Sequence, residues 1–341
     1  MNQKITLKDV SRLANVSVAT VSRVINNQPH VRPEVRNRVL QIVEEIGYRP
    51  NPAARSLAGY ESRIIGLVVP ETTHVLFTDP YFARLIQGIA EACRTHDYAL
   101  SLFLFHALDD GARLAPRLLS RQLFDGLILT ATQIEDPFID QLLASDIPFV
   151  LVGNHENPHV NFVDADNVMG AFTAVSHLLH LGYQRIATIT GPMTNQAAIQ
   201  RKQGYLDALS RRGRAVDSQL IVEGDYSLAG GEDAMARLLP QKPDAVFVAS
   251  DMMASGALNT LRRHDIAVPD EIAVVGYDDL PSTAHLIPPL TTVRQPIKRA
   301  GIQAVETLMD ILRHGAYPPR RILLPTQLIL RDSCGSKLAS A

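Results

Sequence analysis

Residues 5–27 read ITLKDVSRLANVSVATVSRVINN, and the spacing of their apolar positions decides what the head of this 341-residue chain builds. Leu7, Val10, Leu13 and Ala14 recur at helical spacing. Thr6 precedes the stripe and Asp9 follows three residues on, the pattern of an N-cap whose acidic partner reaches back. The stripe stops at Asn15, a residue that tolerates the left-handed conformation a tight interhelical turn needs. Ser17 then caps a second helix over 18–26, with Val18, Val21, Val24 and Ile25 as its apolar set. Its outward residues are Ala19, Thr20, Ser22, Arg23 and Asn26. Pro33 suits the first turn of a third helix running to Ile46, with Gly47 just past its end. Two short helices about a tight turn, backed by a third, make a helix-turn-helix whose second helix enters the DNA major groove. The alternative is a small helical bundle that touches nothing. Charge bears on the choice. Residues 1–60 hold nine Lys and Arg against four acids, while the remaining residues hold 24 against 31. A basic head on an acidic body suits a polyanionic partner for the head alone.

The run at 5–27, with VRPEVRNRVLQIVEEIGYRPNPAARSLAG at 31–59, closely resembles the head of the LacI/GalR family of bacterial transcription regulators. The pattern D-V-x-x-x-A-x-V-S-x-x-T-V-S-R-V-[IV]-N is long and specific, and the resemblance continues to about Leu330. Asn15 departs from it, standing where the family usually has Gly. The resemblance implies that Val18 and Ala19 choose bases, and that Arg23 reads guanine through the two acceptors that suit its fork. It implies that Thr6, Ser17, Thr20, Ser22, Asn26 and His30 contact phosphates or hold the helix in register. Val18 and Ala19 are small and apolar, so they read thymine methyls or shape, or are simple surface filler.

Residues 50–59 read PNPAARSLAG, too short to hold a helix alone in water. By resemblance this is a hinge helix that folds on the central minor groove beside its dimer mate. Leu57 takes the position of the apolar wedge that kinks the duplex, flanked by Asn51, Ala54 and Arg55. The other reading is a plain interdomain linker. The wedge predicts that Leu57→Ala weakens operator binding and leaves effector binding intact; unchanged operator affinity in a shift assay sinks it.

From Ser62 the texture changes to alternating strands and helices. RIIGLVVP (63–70), ALSLFLF (99–105), GLILTA (126–131) and PFVLVG (148–153) read as strands, and a second series includes RIATITGP (185–192), AVFVAS (245–250) and EIAVVGYDD (271–279). Amphipathic helical stretches separate them, which argues for parallel, doubly wound sheets with ligands beyond the carboxyl ends of the strands. The expected fold is an N-terminal all-α helix-turn-helix head plus hinge helix, followed by an α/β body of two doubly wound lobes. By resemblance the body is like a periplasmic sugar-binding protein, with a small molecule in the cleft. The expected division is a DNA-binding domain at 1–49, a hinge at 50–60, and an effector-binding and dimerisation body at 61–341. Lobe 1 takes about 61–162 and 291–322, lobe 2 about 163–290 and 323–335, with crossings near 161–164, 289–293 and 320–325.

Tyr81, Phe82, Asp164, Asp166, Arg201, Tyr226, Asp251 and Asp278 all fall where strands end. Aromatic faces, carboxylates and an arginine are the groups that grip a polyhydroxyl ligand. By resemblance Phe82, Arg201, Tyr226, Asp251 and Asp278 match effector positions; the alternative for Asp251 and Asp278 is that they cap helices. Gly153 stands where sugar- or purine-binding relatives often carry Asp, Ile199 stands at a sugar-gripping Arg of the lactose-type member, and the chain has no Trp.

Other chemistry finds no support. His155-Glu156-Asn157-Pro158-His159 spells a zinc-protease motif, but Pro158 breaks the helix that motif needs. His177 and His180 lack a third ligand nearby, and two cysteines, Cys93 and Cys334, make neither a disulfide framework nor a zinc site. No nucleophile elbow or phosphate-binding glycine loop occurs, so catalysis, cofactors and metals are not expected. MNQKITLKDV lacks the apolar core of a signal peptide, and no long apolar run suggests a membrane span. The cytoplasm, at the nucleoid, is the expected location. The tail RDSCGSKLASA (331–341) has no apolar heptads, so a homodimer on a pseudo-palindromic double-stranded operator is expected, not a tetramer. The reading is a repressor controlled by a small-molecule effector, most simply a sugar. Its rivals are a solute-binding protein without DNA function and an enzyme on the same scaffold.

Overall fold

The structure is a computed structural model that describes residues 5–26, 28–48, 61–69, 73–104, 123–130, 133–134 and 136–336. The hinge residues Asn51, Ala54, Arg55 and Leu57 lie outside the described residues. The chain divides into two compact units, with the break between Ser62 and Arg63.

Among the described residues the head holds three helices, α1 (Leu7–Ala14), α2 (Val18–Ile25) and α3 (Pro33–Glu45). The Asp9 carboxylate accepts from the Thr6 N–H at 2.9 Å and from the Thr6 hydroxyl at 2.7 Å, which fastens the start of α1. Asn15 ends α1 at φ 50° and ψ 50°, the left-handed turn read from its side chain. Pro33 occupies the first turn of α3, and Gly47 follows its end at φ +63°. Val10, Ala14, Val21, Val24, Val39 and Tyr48 form the core. Two expected core residues are outside it: Leu13 is 54% exposed and Val18 42%. Leu13 lies about 120° around the helix from Leu7, off the stripe that Leu7, Val10 and Ala14 share. Val18 is the first residue of α2, where the helix end runs past the core.

Among the described residues the body contains two six-stranded sheets and eight helices, α4 (Thr73–Thr78), α5 (Pro80–Thr95), α6 (Pro137–Leu143), α7 (Asn167–His180), α8 (Gln196–Arg211), α9 (Leu228–Leu238), α10 (Asp251–Arg263) and α11 (Ile297–His314). The first has the order β11-β5-β4-β3-β1-β2, from β1 (Ile64–Val69), β2 (Ala99–Leu104), β3 (Gly126–Thr130), β4 (Phe149–Val152), β5 (Phe162–Ala165) and β11 (Arg321–Leu324), all parallel. The second has the order β12-β10-β9-β8-β6-β7, from β6 (Ile186–Thr190), β7 (Ile221–Glu223), β8 (Ala245–Val248), β9 (Ala273–Asp278), β10 (Thr291–Arg294) and β12 (Gln327–Ile329). Each sheet carries a core on both faces. In lobe 1, Ile65, Leu67 and Val69 face one cluster while Val68 faces the other, as the two-residue period of a strand requires.

The structure moves the lobe crossings. β5 pairs in the first sheet and β10 in the second. The chain therefore crosses after Ala165 and after Arg294, later than the expected 161–164 and 289–293. The third crossing follows Leu324. The apolar runs of β5 and β10 carry no punctuation that marks where one lobe ends. One strand also breaks the parallel expectation: β12 is antiparallel to β10. At the first two crossings a helix carries the chain away from the cleft, α7 (Asn167–His180) after β5 and α11 (Ile297–His314) after β10. Only Pro325 and Thr326 separate β11 from β12, so a strand makes that outward run and points the opposite way.

Helices α5 (Pro80–Thr95) and α11 approach closely over glycines. A Cβ on Gly88 would fall 2.1 Å from the Lys298 carbonyl oxygen, and one on Gly301 2.5 Å from that of Leu85. Gly88→Ala is expected to destabilise lobe 1 by about 1–3 kcal/mol through overpacking, read as a lowered melting temperature; an unchanged melting temperature contradicts the packing. No described helix is long and apolar enough to cross a membrane.

Candidate functional site

Helix α2 presents a polar end and one exposed cation. Ser17 Oγ accepts from the Thr20 N–H at 3.1 Å, and the two hydroxyl oxygens lie 2.9 Å apart. Asn26 Nδ2 donates to the Ser22 carbonyl at 2.9 Å and to its hydroxyl at 3.3 Å. Thr6, Ser17, Thr20, Ser22 and Asn26 thus hold helix ends and one another. Val18, Ala19 and Arg23 stand exposed on α2, and His30 is exposed beyond it with φ +70°. The first turn of α2 leaves backbone N–H groups without helical acceptors, which suits an approaching phosphate.

The second site is a cleft of about 230 Å³ lined from both lobes. Lobe 1 supplies Val75, Asp79, Tyr81, Phe82, Gln133 and Asp164; lobe 2 supplies Asn195, Arg201, Asp225, Tyr226 and Asp278. Strand ends and helix starts place them. Asp79 caps α5, its carboxylate accepting from the Tyr81 N–H at 2.9 Å. Asn195 caps α8 (Gln196–Arg211), accepting from the N–H groups of Ala197 and Ala198. Tyr81 and Phe82 meet edge to face at 5.3 Å between ring centres.

Arg201 is the buried centre. Its Nε donates to Asn167 Oδ1 at 2.8 Å and its Nη1 to the Ala249 carbonyl at 2.6 Å. Nη1 lies 3.7 Å from Asp278 Oδ1, and the guanidinium stacks over the Tyr277 ring at 3.8 Å. Asp278 also accepts from Gln295 Nε2 at 2.6 Å. Asp164 accepts from the Ala165 N–H at 2.8 Å and from Asn167 Nδ2 at 3.1 Å. The Tyr226 hydroxyl is buried with no hydrogen-bond partner among the described residues, and its residue holds φ +67°.

Burial pushes the Asp164 carboxyl up to about 7 against the pull of its hydrogen bond from Ala165 and the charge of Arg201. Burial pushes Asp278 up to about 7 as well, with Arg201 opposing and Asp79 adding to the rise. A carboxyl raised in the folded state stabilises the fold fully below its unfolded pKa near 4, and that stability is lost as pH climbs through about 7. The ligand-free body is therefore expected to melt lower at pH 8 than at pH 5. Asp164→Asn should flatten part of that fall, by on the order of a few kcal/mol. Identical pH profiles for the two proteins would refute the assignment.

Two expected effector residues do not reach the cleft. Asp251 is buried and gives its oxygens to the Leu280 N–H at 2.8 Å and to the Thr292 hydroxyl at 2.6 Å. It starts α10 (Asp251–Arg263) and joins that helix to the β9–β10 side of lobe 2. Asp166 caps α7, accepting from the Met169 N–H at 3.0 Å. Asp79, Gln133, Asn195 and Gln295 were not among the expected residues. Asp79-Pro80 ahead of an amphipathic helix is a legible cap signal that points to the same spot. Nothing local marks Gln133 or Gln295. Opposite the crossings, the Ile134 N–H donates to the Thr194 carbonyl at 2.8 Å and Gln133 bridges to Asn195, so backbone joins the two lobes there too.

The zinc-protease spelling lies on a turn, where His155 Nδ1 accepts from the Asn157 N–H at 3.1 Å. Among the described residues no cluster of three or more His, Cys, Asp or Glu could hold a metal ion.

Residues 6–51 match the model for bacterial regulatory proteins of the lacI family, and residues 175–334 match that for a periplasmic binding protein-like domain. The HTH-type transcriptional regulator CelR of Thermobifida fusca is 36% identical over 333 residues, covering 96% of this chain and 98% of the relative. A solved complex of the regulator CelR with cellobiose superposes with a TM-score of 0.77 at 35% identity, over 96% of this chain and 99% of that one. The lac repressor dimer bound to operator and an anti-inducer superposes at 0.84 and 28% identity, over 97% and 99%.

Proposed function

The chain belongs to the lacI family of bacterial regulatory proteins, and from that premise we propose which residues do its work and what class of effector it answers to. It is a DNA-binding transcription repressor, dimeric and not an enzyme, whose hold on its operator is set by a small molecule. It works in the cytoplasm, where its operator is.

In the head, Arg23 reads guanine and Val18 and Ala19 meet neighbouring base edges or methyls. Thr6, Ser17, Thr20, Ser22, Asn26 and His30 fix phosphates and register. Asn51, Ala54, Arg55 and Leu57 form the hinge that opens the central minor groove. The domains run 1–49, 50–60 and 61–341, the lobes dividing at the crossings described above.

The effector is a small carbohydrate or glycoside. Tyr81 and Phe82 offer apolar faces to its ring, and Asp164, Asp278 and Arg201 meet its hydroxyls. One observation carries this reading: the cleft's polar groups come from both lobes, Asp79 and Asp164 from lobe 1 and Arg201, Tyr226 and Asp278 from lobe 2. A ligand there contacts both lobes at once, so its binding energy biases their closure. Coupling of about 1–3 kcal/mol to the operator is the usual range. Cellobiose, bound by CelR, is the first compound to try.

The test is a shift assay on inverted-repeat fragments across a salt series, with and without cellobiose and other neutral glycosides. Preference for a palindromic fragment that changes when one sugar is added supports the reading. Equal affinity for palindromic and bulk DNA under all conditions overturns it.

A further inference from the structure

The cleft's charge is lopsided. Among the described lining residues, Asp79, Asp164, Asp225 and Asp278 are carboxylates, and Arg201 is the one cation. The charge of Arg201 is already offset by Asp278 at 3.7 Å, while Asn167 and the Ala249 carbonyl hold its Nε and Nη1. The helix starts that open on the cleft are partly committed too. Free helix N-termini attract anions, but Asp79 accepts from the first turn of α5, Asn195 from that of α8 and Ser250 from that of α10. The positive ends on the cleft are thus partly answered by the protein's own acceptors. Asp79 and Asp164 come from lobe 1 and Asp278 from lobe 2, so closing the lobes brings like charges together.

We infer that the effector is uncharged and rich in hydroxyl donors, and that Asp79, Asp164 and Asp278 exclude anionic analogues such as uronates and sugar phosphates. The inference rests on the reading of the cleft as the effector site. A neutral polyol brings O–H donors to carboxylate acceptors and separates them as the lobes close. A phosphate or carboxylate in the same place meets buried like charge and loses its water, and the one cation it finds is already balanced by Asp278. Burial holds Asp79, Asp164 and Asp278 above the ordinary carboxylate range, the direction expected of acids crowded away from water with too few cations.

The experiment uses matched neutral and anionic pairs: cellobiose and cellobiose 6-phosphate, glucose and glucuronate, adenosine and adenosine 5′-monophosphate. Titration calorimetry on the full chain at pH 7.5 measures each. At least one neutral member is expected to bind, with its anionic partner about 100-fold weaker or worse. Asp79→Asn, which keeps an acceptor for the Tyr81 N–H, should narrow that gap about tenfold. A melting curve checks that the variant is folded, and Asp164→Asn serves in its place if it is not. An anionic member that binds as well as its neutral partner overturns the inference and leaves the carbohydrate reading standing. Failure of every pair overturns the carbohydrate reading and the inference with it.

Discussion

Arg201→Met is expected to abolish the effector response while operator binding by the head persists. Arg201 is 6% exposed, and its guanidinium ties together Asn167, Ala249, Asp278 and the Tyr277 ring. Removing one partner of a buried pair leaves the other charge uncompensated, at a cost of about 3–5 kcal/mol. Here the stranded group is Asp278, whose carboxyl already sits near 7 because of burial. It responds by taking a proton, which softens the cost at acid pH and leaves it in full at alkaline pH. The variant should melt well below the wild type at pH 8 and closer to it at pH 5. Effector affinity should fall by at least about 100-fold, since charge-assisted hydrogen bonds contribute roughly 1.5–3 kcal/mol each. Arg201→Lys keeps the charge and loses the fork, and should recover stability better than effector binding. A thermal-shift series with and without the bound glycoside reads both quantities. Normal effector shifts in a folded Arg201→Met protein would remove Arg201 from the site.

Arg23→Ala is the second large effect, and it falls on DNA alone. Arg23 is exposed on α2 and forms no ion pair with any described residue, so its loss should leave the head's melting unchanged. A bidentate contact to guanine contributes about 1–3 kcal/mol of discrimination. Specific operator affinity should therefore drop about 10–100-fold, while affinity for bulk DNA drops only slightly and the salt slope stays nearly unchanged. A phosphate-binding Arg23 would instead weaken both kinds of DNA alike. That outcome, in a competition shift assay, would reassign the residue from base reading to backbone contact.

The head was the most legible part because its signals are local. Thr6 with Asp9, Asn15, Ser17, Pro33 and Gly47 each act within one turn of their own position, and each occupies the place its chemistry favours. Val18 escaped because helical spacing says which residues share a face, not how far a core extends along it, and Leu13 because it lies about 120° off the stripe it was grouped with. In the body, strand ends were readable, and six of the eight expected effector residues line the cleft: Tyr81, Phe82, Asp164, Arg201, Tyr226 and Asp278. Asp251 and Asp278 show the limit. Both follow apolar strands, yet Asp278 at φ +123° faces the cleft while Asp251 turns to Leu280 and Thr292. That difference depends on residues about 30 to 40 positions away along the chain.

By itself, then, the chain's order of residues determined the three-helix head, the doubly wound lobes and the end of the strands where a ligand belongs. These follow from periodicity, capping and the rule that parallel strands need crossover helices, all of which act over short stretches. Only the tertiary structure decided the cleft's charge balance, the partners of Arg201, the solitary Tyr226 hydroxyl and the backbone bridge from Gln133 and Ile134 to Thr194 and Asn195. Those depend on distances between groups brought together by three separate crossings. Electrostatic and hydrogen-bond energies fall so steeply with distance and exposure that no spacing along the chain can supply them.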